Sequence, residues 1–401
     1  MRLENSQWSA QSPDWRRSTV SNHANTKGQK TSGMKILFIQ GGFGAGGAEK
    51  VMADVAAHRL AQGDEVDVAA MVMPKEGSFF DYPAGVRLHV LDAPNRKPGG
   101  RLLQPRRAFA IRRLIKKVQP DIIVSFLTKV NCLTLLAATG TGIPVVISER
   151  NNPAVQSARF WRRLQIALMP RAAGIAMQTE GAASDLPPAQ QARSHIIPNP
   201  CLPVAYTPAP PSDTCRFVAV GRLDHQKGFD MLLDAFARLP RELPANLTIF
   251  GEGKARPRLE KQIRDLKLEG RARLGGLVPT AADWLSKGDA VVVSSRYEGF
   301  CNVVAEATCS GFPTISFDCP FGPSEMVRDG KNGLLVANGD IVGLGAAMTW
   351  VASDRALRER LGKSAHIVAD KLDPAHIMSQ WDTIIAEAMT VPQTAESFAS
   401  S

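Results

Sequence analysis

Twice in 401 residues the chain runs from a short apolar segment, through a loop holding glycine, into a helical pattern. Residues 34–40 lead into Gly41-Gly42-Phe43-Gly44-Ala45-Gly46-Gly47, and a helical pattern follows over 51–62. Residues 216–220 lead into Gly221-Arg222-Leu223-Asp224-His225-Gln226-Lys227-Gly228, and a second helix follows over 229–239. Strand, tight loop and helix open a doubly wound α/β unit, in which glycine lets the backbone approach a phosphate closely. The first loop is not a clean G-x-G-x-x-G, so it reads either as a phosphate loop or as a tight turn. A Pro-rich stretch over 198–211 separates the two starts.

Strand-length apolar runs alternate with helical patterns on both sides of that stretch. They fall at 65–72, 120–126, 143–148, 174–178 and 194–197, then at 246–250, 271–274, 290–293, 313–318 and 333–336. Such alternation predicts parallel sheets. The length exceeds one ordinary core, so the expectation is an α/β chain of two Rossmann-like domains facing across a cleft. The boundaries read as a first domain over 34–198, a linker over 199–214 and a second domain over 215–372. Residues 1–33 are mostly polar and aperiodic, with few large apolar side chains beyond Trp8 and Trp15, and read as a disordered tail, as do 391–401.

The net charge of +10 is unevenly placed: residues 34–200 carry net +9 and residues 201–401 net −2. A basic half implies an anionic partner. The segment 101–118 holds seven Lys and Arg and no acid, with Ile111, Leu114, Ile115 and Val118 at helical spacing. The segment 159–171 is again basic and partly aromatic, with Arg159, Trp161, Arg162 and Arg163. Each reads as a solvated helix face or as a contact with an anionic membrane surface. The first lacks the aromatic interleaving that single-stranded nucleic acid needs for base stacking, so no nucleic-acid partner is expected. No apolar run approaches the roughly 20 residues of a membrane span, and no secretory signal precedes Met34. The six cysteines show no C-x-x-C spacing. A cytoplasmic place, peripheral on the inner face of the membrane, is the expectation.

The strongest chemical signal runs from Ser294 to Glu306. A strand at 290–293 ends in Ser-Ser-Arg-Tyr-Glu-Gly-Phe-Cys-Asn-Val-Val-Ala-Glu, and a helix begins near Val303. Glu298 and Glu306 bracket the helix start with seven residues between them. A helix N-terminus favours an anion, while carboxylates grip hydroxyls. Arg222 and Lys227, five residues apart after an earlier strand, supply cations for one diphosphate. No Asp-x-Asp pair occurs in the chain, so no metal clamp is indicated.

Gly221 to Gly228, the pair Glu298 and Glu306, Gly46-Gly47-Ala48-Glu49-Lys50 and Asn199-Pro200 together resemble the retaining nucleotide-sugar glycosyltransferases of the GT-B fold, family 4-like, group 1. Glu149-Arg150-Asn151, the 318–325 stretch and the 329–334 stretch resemble the branch that builds bacterial surface polysaccharides and lipid-linked oligosaccharides. The resemblance covers about residues 34–390. It implies transfer of a hexose or N-acetylhexosamine, with retention, from a donor, usually UDP-linked, to an undecaprenyl-diphosphate-linked saccharide, with no cofactor required. It implies that Arg222 and Lys227 hold the diphosphate, Glu306 the ribose, and Glu298 the donor sugar and the charge at its anomeric carbon. Backbone N–H groups at Phe300, Cys301, Asn302 and Val303 would face the β-phosphate, and Gly46 and Gly47 would close on the donor. It also implies a C-terminal helix, 373–390, returning to the first domain. Many relatives place a histidine near the acceptor; residues 127–131 hold none, and Lys129, Glu149 and Arg150 stand as acceptor-side candidates.

Three other readings compete. A nicotinamide oxidoreductase needs an acid at the end of the second strand, and 67–73 ends without one. A non-catalytic nucleotide- or sugar-binding protein, and an enzyme acting on a soluble acceptor, stay open at this level.

Overall fold

The computed structural model describes residues 33–92, 103–150, 152 and 159–391. Asn151 and nearly all of both expected tails lie outside the described residues, as does the side chain of Arg159. Two all-parallel sheets form. In the first, β1 (Lys35–Gly42), β2 (Glu65–Val72), β3 (Arg87–Val90), β4 (Ile122–Phe126), β5 (Val145–Glu149), β6 (Gly174–Met177) and β7 (Ser194–Ile196) lie in the order β3-β2-β1-β4-β5-β6-β7. In the second, β8 (Cys215–Val220), β9 (Ala245–Phe250), β10 (Ala272–Gly276), β11 (Ala290–Val293), β12 (Thr314–Asp318) and β13 (Leu334–Ala337) lie in the order β10-β9-β8-β11-β12-β13. The second order repeats the first, one strand shorter. The two Rossmann-like sheets expected from the alternating pattern are present.

This topology decides where ligands go. Strand order reverses between β1 and β4, and between β8 and β11, which leaves a crevice at the carboxyl ends of those strands. The loops after β8 and β11 carry Lys227 and Glu298, so both sit at a switch point. Strand interiors are nearly continuous apolar runs because helices cover both faces: Ile36 to Ile39, Ile122 to Val124 and Ala290 to Val292 are at most 1% exposed.

Two elements differ from the sequence reading. The edge strand β3 gives no periodic signal, because Arg-Leu-His-Val is half polar and mostly exposed. Its stabilisation comes from β2: Arg87 donates to Asp67 at 2.7 and 3.0 Å, and His89 lies 2.6 Å from the same carboxylate. The first helix starts at Gly47, four residues before its apolar periodicity begins, so the glycine loop is shorter than it looks.

The helix Pro374–Thr390 follows the second sheet in sequence yet packs on the first. Ile377, Met378, Trp381, Ile384 and Ile385 join Phe38, Val124 and Phe126 in one cluster. Trp381 is fully buried and stacks on Phe126 with ring centres 5.5 Å apart. Asp382 on the same helix pairs with His58 at 2.9 Å and Arg59 at 2.7 Å. The first half therefore completes its core with a segment supplied after the second half. Trp381→Ala is expected to lower stability by about 3–5 kcal/mol in urea unfolding. A loss below about 1 kcal/mol would contradict a core role for this helix.

Candidate active site

Hydrogen bonds stitch the loops after β8 and β11 together. Ser294 Oγ donates to Lys227 O at 3.0 Å, Arg296 N to Gln226 O at 2.8 Å, and Gln226 Nε2 to Tyr297 O at 3.2 Å. Arg296 also forks onto both oxygens of Asp230, at 2.9 and 2.8 Å, in the helix Phe229–Phe236. Gly228 enables the junction: its φ is +64°, and a Cβ there would lie 2.1 Å from Ser294 O. Any other residue would force the loops apart.

The consequence is a buried ion pair. Lys227 Nζ donates to Glu298 Oε1 at 2.7 Å, and Ser295 Oγ donates to the same oxygen at 2.6 Å. The side chains are 17% and 7% exposed. Burial alone would push the Lys227 ammonium down; the charge and hydrogen bond of Glu298 outweigh it and hold the group above its ordinary value. The Lys227 stem lies across Gly221, where a Cβ would meet it at 2.9 Å. Arg222 behaves differently. It is 75% exposed and makes only long contacts, 3.5 Å to Asp224 and 3.4 Å to Gln226. Among the predicted residues, then, the structure joins Lys227 to Glu298 and leaves Arg222 exposed at the rim.

The helix Asn302–Cys309 follows at once. Cys301, its N-cap, has φ +67°, a costly conformation for a side-chain-bearing residue, and offers no side-chain cap. Leu127 after β4 and Phe321 after β12 also have positive φ, 78° and 63°. The uncapped end leaves the first N–H groups of the helix, at Asn302 and Val303, without intrahelical partners. Phe300 and Cys301 are buried beneath it, Val303 is half-buried and Asn302 exposed.

Glu306 lies one turn on, half-buried, with no ion pair within 4.0 Å among the described residues. Burial pushes its carboxyl up to about 7, and Lys50 and Lys227 pull the other way. Lys50 belongs to the helix Gly47–Ala61 of the first half, so a cation of that half acts on a carboxylate of the second. Gly47 makes the close approach: a Cβ there would lie 2.9 Å from Asn302 Nδ2. At Gly46 a Cβ would meet the Glu49 carboxylate, which bonds its own backbone N–H. At the first half's helix end the Glu49 carboxylate thus takes up one of the first-turn N–H groups.

The acceptor-side candidates separate. Glu149 is 4% exposed and accepts from Thr128 Oγ1 at 2.5 Å and Gln165 Nε2 at 2.8 Å. Arg150 is 6% exposed and points toward Asn199 in the linker. Lys129 is half-buried with its ammonium 5.4 Å from the Trp161 ring centre; burial, then Arg107, hold it below its ordinary value. Among the described residues no group of three or more His, Cys, Asp and Glu is placed to hold a metal ion. Sequence reasoning missed Lys50, Ser295, Arg296 and Asp230. Only the cation at position 50 had a visible signal, in the Gly-Gly-Ala-Glu-Lys run.

Residues 208–367 match the family model described as Glycosyl transferases group 1, and residues 46–200 match the Glycosyl transferase 4-like domain. The chain is similar to the GalNAc-alpha-(1->4)-GalNAc-alpha-(1->3)-diNAcBac-PP-undecaprenol alpha-1,4-N-acetyl-D-galactosaminyltransferase of Campylobacter jejuni, at 26% identity over 88% of this chain and 99% of that protein. It is 36% identical to the lipopolysaccharide core biosynthesis glycosyltransferase LpsE of Rhizobium meliloti, over 39% of this chain and 45% of LpsE. Among solved structures, the lipopolysaccharide outer core galactosyltransferase WaaB aligns with TM-score 0.71 and 20% identity, over 88% of this chain and 99% of WaaB. HepE of Anabaena, solved in complex with UDP, aligns equally well, with TM-score 0.71 and 20% identity over 88% of this chain and all of that one.

The raised Glu306 carboxyl has a sign that can be tested. Its folded value, about 7, lies above the ordinary 4.5, so the folded chain holds an extra proton between them. Stability therefore falls as pH rises through that window. Glu306→Gln is expected to gain on the wild type by about 2 kcal/mol between pH ~5 and pH ~8 in urea unfolding. An advantage that does not change with pH would contradict the burial of this carboxyl.

Proposed function

We propose that this chain, which belongs to the group 1 glycosyltransferases with the GT-B fold, transfers a hexose or N-acetylhexosamine from a UDP-sugar to a saccharide carried on undecaprenyl diphosphate, with retention at the anomeric carbon. The observation that carries the donor half of this reading is the meeting of Lys227 and Glu298 at the switch point of the second sheet, with Glu306 on the helix that follows. A diphosphate entering there finds one buried cation, one rim cation in Arg222, and the free N–H groups of Asn302 and Val303. Lys227 leaves Glu298 for the phosphate, and Glu298 is released toward the sugar. Glu306 accepts from the ribose hydroxyls.

As the bond from the anomeric carbon to the β-phosphate oxygen breaks, its electron pair leaves with UDP. Lys227, Arg222 and the helix end stabilise that charge, and they are in place before it develops. Glu298 supports the positive charge left on the sugar. The acceptor hydroxyl attacks from the same face and its proton passes to the departing phosphate oxygen. Closure of the Gly46-Gly47 loop on Asn302 excludes water and favours transfer over hydrolysis.

The lipid-linked acceptor rests on two supports. The Campylobacter relative matched along nearly its whole length carries an undecaprenol diphosphate in its name, and other relatives are named for lipopolysaccharide core and amylovoran biosynthesis. The second support is the first half's surface. Helices Leu103–Val118 and Arg159–Leu168 both pack on helix Thr128–Ala138. They expose Phe109, Phe160 and Ile166 beside Arg106, Arg113, Lys117, Arg162 and Arg163. Apolar tips among cations suit an anionic membrane surface, consistent with a peripheral place on the cytoplasmic face. No helix among the described residues is long and apolar enough to cross a membrane.

Lys227→Ala and Glu298→Gln are each expected to cut UDP release from the preferred UDP-sugar by about a hundredfold or more, in the presence of a membrane extract. Near-normal turnover in both would refute this donor site, and binding of UDP without turnover in the wild type would favour a non-catalytic binding protein. Reversing Arg113, Lys117, Arg162 and Arg163 to Glu is expected to abolish salt-sensitive sedimentation with vesicles of anionic phospholipid. Unchanged sedimentation, or none by the wild type, would favour a soluble acceptor.

A further inference from the structure

Arg150 is a buried cation whose guanidinium pairs with no anion among the described residues. No carboxylate lies within 4.0 Å of that group among the described residues, and Glu149 beside it turns its carboxylate to Thr128, Gln165 and the Arg150 backbone N–H. The guanidinium lies between aromatic rings, 4.8 Å from the centre of Phe126 and 5.2 Å from that of Trp381. Its Nε donates to Ser148 Oγ at 2.9 Å and its Nη1 to Asn199 Oδ1 at 2.8 Å, while Nη2 has no partner among the described residues. A buried charge with an unmet donor costs stability, which a role in packing alone does not recover.

The chemistry of its one linker contact suggests what the charge does. Guanidinium can only donate, so the atom of Asn199 facing it must be the amide oxygen. Gln178 Nε2 donates to the same oxygen at 2.8 Å. The Asn199 amide nitrogen must then point the other way, where it donates to Asn302 Oδ1 at 2.7 Å. With its oxygen so engaged, Asn302 turns Nδ2 toward Gly47. One donor-only group thus sets the direction of two amides in series, from the first sheet, through the linker, to the first residue of the helix Asn302–Cys309.

We infer that Arg150 is a positioning residue for the donor site: it fixes the Asn199 amide, and through it Asn302, so that the Asn302 Nδ2 donor stands at the phosphate-facing helix end beside Gly47. This rests on the donor site proposed above. It moves Arg150 from the acceptor side, where its position after β5 suggests it belongs, to the hinge between the halves. The same chain of bonds ties the spacing of the two domains to the orientation of a phosphate donor.

Asn199→Asp separates this from a structural role. The carboxylate so introduced would still accept from Arg150 and Gln178 and would give the buried cation a counter-charge, so thermal stability is expected to hold or rise. It cannot donate to Asn302, whose amide must reverse and present oxygen to the phosphate. Calorimetric titration with UDP is expected to show a Kd raised about tenfold, the size of one lost hydrogen bond to a charged group. Asn302→Ala is expected to weaken UDP similarly, and Asn199→Asp in that background to add nothing. Arg150→Lys, which keeps a donor, is expected to bind UDP better than Arg150→Met. UDP affinity like wild type in Asn199→Asp, or losses in the double variant that multiply, would overturn the inference while leaving the donor site standing. No UDP binding by the wild-type chain would overturn both.

Discussion

The ion pair between Lys227 and Glu298 is the contact on which the second half's architecture converges. Two charges at 2.7 Å, both largely out of water, are costly to desolvate. They hold because Ser295 adds a second hydrogen bond and because the loops that carry them cannot separate. That rigidity has a local origin. Gly228 lets one loop pass against Ser294, Gly221 lets the Lys227 stem fold back, and Arg296 clamps the other loop to Asp230. In the proposed donor site an entering diphosphate would take over that attraction, with Lys227 exchanging one anion for another without returning to water.

The first half supplies what the second lacks. The charge of Lys50 acts on Glu306, Gly47 abuts Asn302, and Asn199 bonds to Asn302. The linker is no passive tether: Asn199 is 7% exposed, Cys201 N donates to Leu372 O at 2.8 Å, and Val204 N donates to Ser310 Oγ at 2.9 Å. The returning helix Pro374–Thr390 places Trp381 over Arg150 and Phe126. Chain direction, linker and returning helix thus meet at one guanidinium, linked through Asn199 to the start of the helix Asn302–Cys309.

The fold was largely legible in the alternation of apolar runs and loops, because parallel strands buried on both faces read as continuous Val and Ile. β3 escaped because an edge strand is half wet, and its ion pairs with Asp67 are invisible to periodicity. At the site, spacing singled out Arg222 with Lys227 and Glu298 with Glu306. It could not show that Lys227 would meet Glu298, since 71 residues separate them. Nor could it place Arg150, since a charge beside the end of β5 looks ready for a substrate until Phe126, Trp381 and Asn199 are seen around it. The glycine run at 41–47 left two readings open, a phosphate loop or a tight turn. It marks a close approach to Asn302 at Gly47, and the Glu49 carboxylate lies against Gly46, a packing that spacing alone does not reveal.

The central claim is that the nucleotide diphosphate displaces Glu298 from Lys227. A crystal structure of the wild-type chain with UDP tests this most directly. The account predicts the β-phosphate on Lys227 Nζ and on the N–H groups of Asn302 and Val303, the ribose on Glu306, and Glu298 released from the lysine. A nucleotide bound elsewhere, with Lys227 and Glu298 still paired, would contradict it.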